Sequence, residues 1–276
     1  TAEYIRNADC VIIGAGAGAS TAAGIQYGGK RFTDNFAEFI KKYGGHYMTD
    51  MYAAGFYPYP SEEAKWGYWS KHALMNRFDP PALPLYTKLY DIVKSKEYFV
   101  LTTNVDHQFY KAGFDEKRIF ATQGDYGKIQ CQKACHSKTY DAKELFRKMD
   151  EARKDCLIPS ELVPKCPVCG GNMAMNLRCD NYFVEDEAWH EAADRYAGFL
   201  EQNKDKKVVL LELGVGFNTP IIIRFPFEKM VRENSSYSLI RLNMDEAVVP
   251  ESFGERAIGI GGDMAKAITD IRGLVL

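Results

Sequence analysis

One stretch constrains the fold more than any other: residues 9–32, which read DCVIIGAGAGASTAAGIQYGGKRF. Cys10, Val11, Ile12 and Ile13 make a short apolar run rich in β-branched side chains, the pattern of a strand buried on both faces. Gly14, Gly16, Gly18 and Gly24 follow, interleaved with small residues that include Ala17, Ser20 and Thr21. With nothing larger than a methyl group before Ser20, the backbone N–H groups of such a turn can close on a pair of phosphates. A helix beginning there adds its positive end. The stretch predicts a strand, a dinucleotide-binding turn and a helix; the alternative is an ordinary tight turn of an α/β sheet.

The rest of the chain repeats the motif of an apolar run followed by a polar or glycine-rich turn. Strands are expected at 98–102 (YFVLT), 118–121, 208–213, 238–242 and 257–260, with helical spacing over 34–43, 85–93 and 187–203. Thr33 or Asp34 is a plausible N-cap for the first of these helices, and Pro220 stands where a first helical position tolerates it. Strands alternating with helices imply an α/β fold: a doubly wound, parallel, Rossmann-like sheet with a small zinc-binding module and a helical insert. The sheet domain is expected from 1–32, 85–128 and 187–276, with an aromatic-rich helical insert at 33–84 and a cysteine-bearing module at 129–186. The insert's aromatics suit a small core of their own, or the wall of a ligand channel. In such a sheet, ligands bind at the carboxyl ends of the strands. Those ends carry Gly14–Ser20, Thr103–Asp106, Gln123, Gly214–Asn218 and Asn243–Asp245.

Seven cysteines are an odd number, and four of them fall in two close pairs, which favours a metal site in a reducing compartment over a disulfide framework. Cys131 and Cys135 form CxxxC, Cys166 and Cys169 form CxxC within KCPVCGG, and 30 residues separate the pairs. Four thiolates so spaced can close a tetrahedral zinc site, which leaves no open position for substrate and so holds a fold. Neighbouring His136 is redundant beside four sulfurs. A formal charge of −2 gives no reason to expect nucleic acid or an anionic membrane as partner. No apolar run is long enough for a membrane span, no signal peptide is expected at the start, and the cysteine usage points to a cytoplasmic protein. An ordinary dehydrogenase fits poorly, because an acidic residue for the ribose is missing after the second strand.

Taken together these motifs resemble the sirtuin family. Residues 16–25 resemble its phosphate loop and Thr103-Asn104-Val105-Asp106 its TQNID signature, while the four cysteines match its zinc module. The turn containing Gly214 and Gly216 resembles its GTS motif, Asn243 its ribose-binding asparagine, and Gly262-Asp263-Met264 its adenine-side turn. The departures matter as much. PDFR is replaced by residues 26–32, where Arg31 stands in for the family arginine, and the catalytic His-Gly is Gln123-Gly124. These differences are similar to those of class M sirtuins, protein ADP-ribosyltransferases associated with a macrodomain hydrolase and a lipoylated relative of the glycine-cleavage H-protein. The resemblance implies NAD as cofactor, held by the glycine turns with Asn218, Asn243, Asp245, Asp263 and Met264. It implies Asp106 at the nicotinamide amide and Asn104 at the ribose or attacking group. Deacylation needs a base for a ribose hydroxyl, and glutamine cannot accept that proton. His107 is the remaining candidate base. Two other functions are weighed: an NAD-dependent deacylase, and a non-catalytic NAD or ADP-ribose sensor. Segment 177–186 (LRCDNYFVED) falls where sirtuins pair with a substrate strand, and its altered residues imply a different acceptor.

Overall fold

In the computed structural model, which describes residues 1–44, 46–217 and 220–276, the apolar runs become strands close to where their composition puts them. In chain order these are β1 (Cys10–Ala15), β2 (Glu97–Thr102), β3 (Ile119–Ala121), β4 (Gly124–Cys131), β5 (Thr139–Asp141), β6 (Met173–Leu177), β7 (Val208–Leu213), β8 (Tyr237–Asn243) and β9 (Ala257–Gly261). Among the described residues they form a six-stranded sheet in the order β3-β2-β1-β7-β8-β9 and a three-stranded sheet in the order β5-β4-β6. The chain divides into two compact units, Thr1–Gly24 with Pro81–Gln123 and Glu187–Leu276, and Ile25–Pro80 with Gly124–Asp186.

The first unit holds the larger sheet, whose neighbouring strands all run parallel. Its two central strands, β1 and β7, are buried at every position, because helices cover both faces. The side chains alternate between two cores with the period of a strand. Val11, Ile13, Val209 and Leu211 face one core, with Leu89, Ile92 and Ile268 from the helices Pro84–Val93 and Met264–Val275. Cys10, Ile12, Val208 and Leu210 face the other, with Ala192, Phe227 and Val231 from the helices Glu187–Asn203 and Arg224–Glu233. The strand order runs outward from β1 in one direction and from β7 in the other. The topological switch point, where such sheets open a crevice, therefore lies between these two strands. No helix of the described residues is long and apolar enough to cross a membrane.

The second unit contains both stretches that read in the sequence as separate inserts. Aromatic packing joins them: Trp66, from the helix Glu62–Ala73, lies 6.1 Å from Phe146 of the helix Lys143–Ala152. The insert's rings divide: Phe36, Phe39, Trp66, Tyr68 and Trp69 are buried core, whereas Tyr47, Tyr52 and Phe56 are exposed.

Two local expectations need correcting. The helix read at 34–43 is two helices, Gly29–Asn35 and Ala37–Tyr43, broken at Phe36. The apolar spacing survives the break because Phe32, Phe36 and Phe39 all face the same core. Neither Thr33 nor Asp34 is a cap; Asp34 pairs with Lys30, and Gly28 precedes the helix without a side-chain cap. Pro220 does not open a helix either. The helix starts at Arg224, and it is Pro226 that occupies its first turn, where a missing N–H costs nothing.

Candidate active site

Within the first unit, two glycine turns meet at the switch point. The Gly16 N–H donates to the Leu213 carbonyl at 2.9 Å and the Gly18 N–H to the Gly214 carbonyl at 3.0 Å. A Cβ on Gly18 would stand 2.7 Å from the Gly214 Cα, and one on Gly16 the same distance from the Gly214 oxygen. These glycines are needed so that two backbones can touch. The Gly18 N–H is engaged by protein, so a phosphate must be met by other groups of the turn. Ala17, Thr21 and Gly24 are exposed on its outer side, with open space around Gly24. Gly216 is also exposed, and a Cβ added there would come within 4 Å only of the Glu246 carboxylate, at 3.7 Å. Asn218 lies outside the described residues.

Ser20 points inward and is buried. Its hydroxyl donates to the Asp106 carboxylate and lies 2.8 Å from the Tyr86 hydroxyl. Asn104 Nδ2 is 3.4 Å from the same Tyr86 oxygen. Asp106 is also buried, and its Oδ1 accepts from the Gln108 N–H at 3.1 Å. The turn after β2 is fixed by β-type hydrogen bonding carried past the strand end. The Thr103 N–H reaches the Ala15 carbonyl at 3.0 Å, and Thr102 Oγ1 accepts from the Asn104 N–H at 3.0 Å. Thr122 continues β3 by donating its N–H to the Thr102 carbonyl at 2.9 Å, which sets Gln123 beside this turn. Gln123 Nε2 lies 3.3 Å from Thr122 Oγ1. His107 holds a left-handed conformation (φ 65°) and stacks on Tyr110 with ring centroids 4.0 Å apart.

On the β8 and β9 side, Asn243 Nδ2 donates to the Val215 carbonyl at 3.1 Å, and its Oδ1 faces the N–H groups of Asp245 and Glu246 at 3.4 Å. Asn243 thus ties the second glycine turn to the loop after β8. Asp245 is exposed. Asp263 caps the closing helix by accepting from the Lys266 N–H at 3.0 Å, and Met264 beside it is buried.

Neither Tyr86 nor the charges under this edge stand out in the sequence. Arg241, almost fully buried, makes a two-pronged pair with Glu212 at 2.7 and 2.9 Å. Arg224 clamps the carbonyls of Val215 and Glu246. Tyr86 reads as one more apolar position of an amphipathic helix; the usable signal is that a buried tyrosine hydroxyl needs a partner.

In the second unit, Arg31 donates to the Gln26 carbonyl and to Asn76 Oδ1, at 2.9 and 2.8 Å. Burial lowers its pKa. The sulfurs of Cys131, Cys135, Cys166 and Cys169 all lie within 4.8 Å of one another. Two of the separations are 3.7 and 3.6 Å. Thiolates about 2.3 Å from a tetrahedral zinc ion stand about 3.8 Å apart, so donor set and size both fit. The turns that aim them use positive φ at Ala134 and Gly170. His136 Nε2 is 3.9 Å from Cys166 Sγ and bonds to the Tyr140 hydroxyl at 2.9 Å, outside the four-sulfur set.

Solved structures share the fold. A structure of Sir2Tm bound to a propionylated peptide covers 99% of this chain and 97% of its own, with a TM-score of 0.60 at 16% identity. A Sir2 homologue–NAD complex covers 99% and 92%, with a TM-score of 0.63 at 16% identity. The fold is that of the sirtuins. No protein-family model matches the chain. A protein ADP-ribosyltransferase of Staphylococcus aureus is 39% identical over 266 residues, which are 96% of this chain and 84% of that protein. A "probable bifunctional ADP-ribose hydrolase/ADP-ribosyltransferase" of Fusarium oxysporum f. sp. cubense is 31% identical over 281 residues, 96% of this chain but 46% of that longer protein. The chain belongs to the sirtuin-family ADP-ribosyltransferases and is a transferase.

Proposed function

We propose that the protein uses NAD to place ADP-ribose on a protein acceptor, releasing nicotinamide. The observation that carries this reading is the set of polar residues just past the ends of β2 and β3: Asn104, Asp106 and Gln123. They offer hydrogen bonds for a sugar and an amide, and Gln123 offers no titratable base. Ala17, Thr21, Gly24, Gly214 and Gly216 suit the pyrophosphate side, with Gly16 and Gly18 allowing the two turns to meet. Asn243, Asp245, Asp263 and Met264 suit the adenosine side. NAD supplies the ADP-ribosyl group, the bond from its ribose to nicotinamide breaking as a bond to the acceptor forms. Asp106 would hold the nicotinamide amide, and Asn104 would align the ribose with the incoming nucleophile. Gln123 can orient a hydroxyl but cannot take its proton, so an acceptor already ionised, such as a carboxylate, suits the site.

The four cysteines would hold zinc and stabilise the second unit without taking part in transfer. A lipoylated carrier protein fits as acceptor, with segment 177–186 as its docking strand. The fused hydrolase in the name of the Fusarium relative supports a macrodomain hydrolase as functional partner. Seven free cysteines, four of them gathered as ligands, favour a cytoplasmic location.

The test compares two products from one preparation. Labelled NAD with candidate carrier proteins should yield labelled protein, located by mass spectrometry, while acylated peptides should yield little O-acyl-ADP-ribose. Efficient acyl-ADP-ribose formation without labelled protein would replace this reading by a deacylase. NAD binding without nicotinamide release would replace it by a sensor.

A further inference from the structure

Resting on that reading, we infer that Tyr86 is a positioning residue for the transfer, its hydroxyl fixing which way the Asn104 carboxamide faces. Tyr86 is fully buried, with its ring held edge-on against Phe109 at 4.9 Å. Its oxygen lies 2.8 Å from Ser20 Oγ and 3.4 Å from Asn104 Nδ2. The direction of these bonds follows from counting protons. Ser20 has one hydroxyl proton, and it goes to the Asp106 carboxylate, which has only acceptor atoms. Ser20 can therefore only accept from Tyr86. Tyr86, having given its own proton to Ser20, can only accept from the Asn104 amide. The chain runs one way: Asn104 N–H to Tyr86, Tyr86 O–H to Ser20, Ser20 O–H to Asp106.

Two consequences follow. The Asn104 Nδ2 group is turned toward Tyr86, so its carbonyl oxygen faces away and is left to accept from a sugar hydroxyl. The chain also joins three segments, the glycine turn after β1, the helix Pro84–Val93 and the turn after β2. A shift of the phosphate-side turn is thereby felt at Asn104. Burial pushes the Tyr86 phenol well above its ordinary pKa, with the nearby Asp106 acting in the same direction, so it stays a donor across the working range of pH.

Tyr86→Phe keeps the ring and removes only the hydroxyl. Nicotinamide release should slow about 10- to 100-fold in kcat, the range for a misplaced reacting group, while KM for NAD stays nearly constant. A merely structural tyrosine would not split the two constants in this way. The second readout needs no activity: the side-chain amide resonances of Asn104, assigned by their loss in Asn104→Ala, should shift and exchange faster in Tyr86→Phe. If Tyr86→Phe fails to fold, Ser20→Ala breaks the same chain without touching the core ring and should give the same changes. Unchanged kcat, or unchanged Asn104 amide signals, in the folded variant would overturn the assignment. A parent protein that binds NAD but releases no nicotinamide would instead overturn the proposed function, and the amide spectra would then decide the hydrogen-bond chain on their own.

Discussion

Asn104 and Gln123 carry the same functional group, yet their surroundings give them different work. Asn104 is held by its backbone through Thr102 and by its side chain through Tyr86. Gln123 touches Thr122 through one amide nitrogen. Asn104→Ala should therefore reduce transfer by at least about 100-fold, the scale for lost alignment, with the melting temperature little changed. Gln123→His should not create a peptide deacylase, because a base alone does not supply an acyl site; O-acyl-ADP-ribose assays check this. Gly18→Ala should be felt first in stability. Its new methyl would press on the Gly214 backbone at 2.7 and 2.8 Å, a clash worth about 1–3 kcal/mol, and calorimetry should record a lower melting temperature before any question of NAD binding arises. Asn104, Asp106 and Gln123 could be singled out in the sequence because each follows a strand. Tyr86 could not, since its helix shows only an apolar stripe and the stripe says nothing about where a hydroxyl points. The backbone contact of Gly18 with Gly214 was equally hidden, because glycine's freedom near a phosphate and its closeness to another backbone leave the same letter.

Between elements, the most consequential link is the ion pair that joins β7 to β8 through Glu212 and Arg241, with Glu228 as a third member at 2.8 Å. Burial raises the Glu212 pKa, and Arg241 opposes the rise. Arg241→Met should cost about 3–5 kcal/mol by leaving that carboxylate without its main partner. The loss should depend on pH with a definite sign. A carboxyl whose pKa is higher folded than unfolded binds a proton in the native state that the unfolded chain has released, so stability falls as pH rises through that window. Denaturant titrations should find the variant's deficit smallest in acid and larger toward neutrality. Adding Glu212→Leu should recover much of it by removing the stranded charge. Element positions were readable because β1 and β7 are continuous apolar runs and the helices carry apolar stripes. The break at Phe36 and the late start at Arg224 were not, because one core is served equally well by a kinked helix as by a straight one. The gathering of the four cysteines was readable from their spacing alone, since four soft ligands in two close pairs have few other uses.

At the scale of the whole chain, the two units are interleaved: the path leaves the sheet unit and returns to it twice. The cysteine cluster belongs to one unit and the two glycine turns to the other. A chelator should thus divide the calorimetric melting curve, lowering the transition of the cysteine-bearing unit more than that of the sheet unit. A single transition, unmoved by metal removal, would show that the four sulfurs hold nothing together. Elemental analysis of the untreated protein should find about one zinc per chain for a four-thiolate site. The interleaving was only partly legible, since composition marks each excursion but not that Trp66 and Phe146 will share a core. The pairing of Cys10 with Val208 in adjacent parallel strands also has a meaning during synthesis. Once out of the ribosome, β1 cannot find this neighbour until some 200 residues later, about 10–40 s at ordinary elongation rates. Throughout that interval Val11, Ile12 and Ile13 are a bare, sticky edge. The nascent chain is thus a natural client for chaperones, and anything that stalls translation in the cysteine-bearing stretch lengthens its exposure to aggregation.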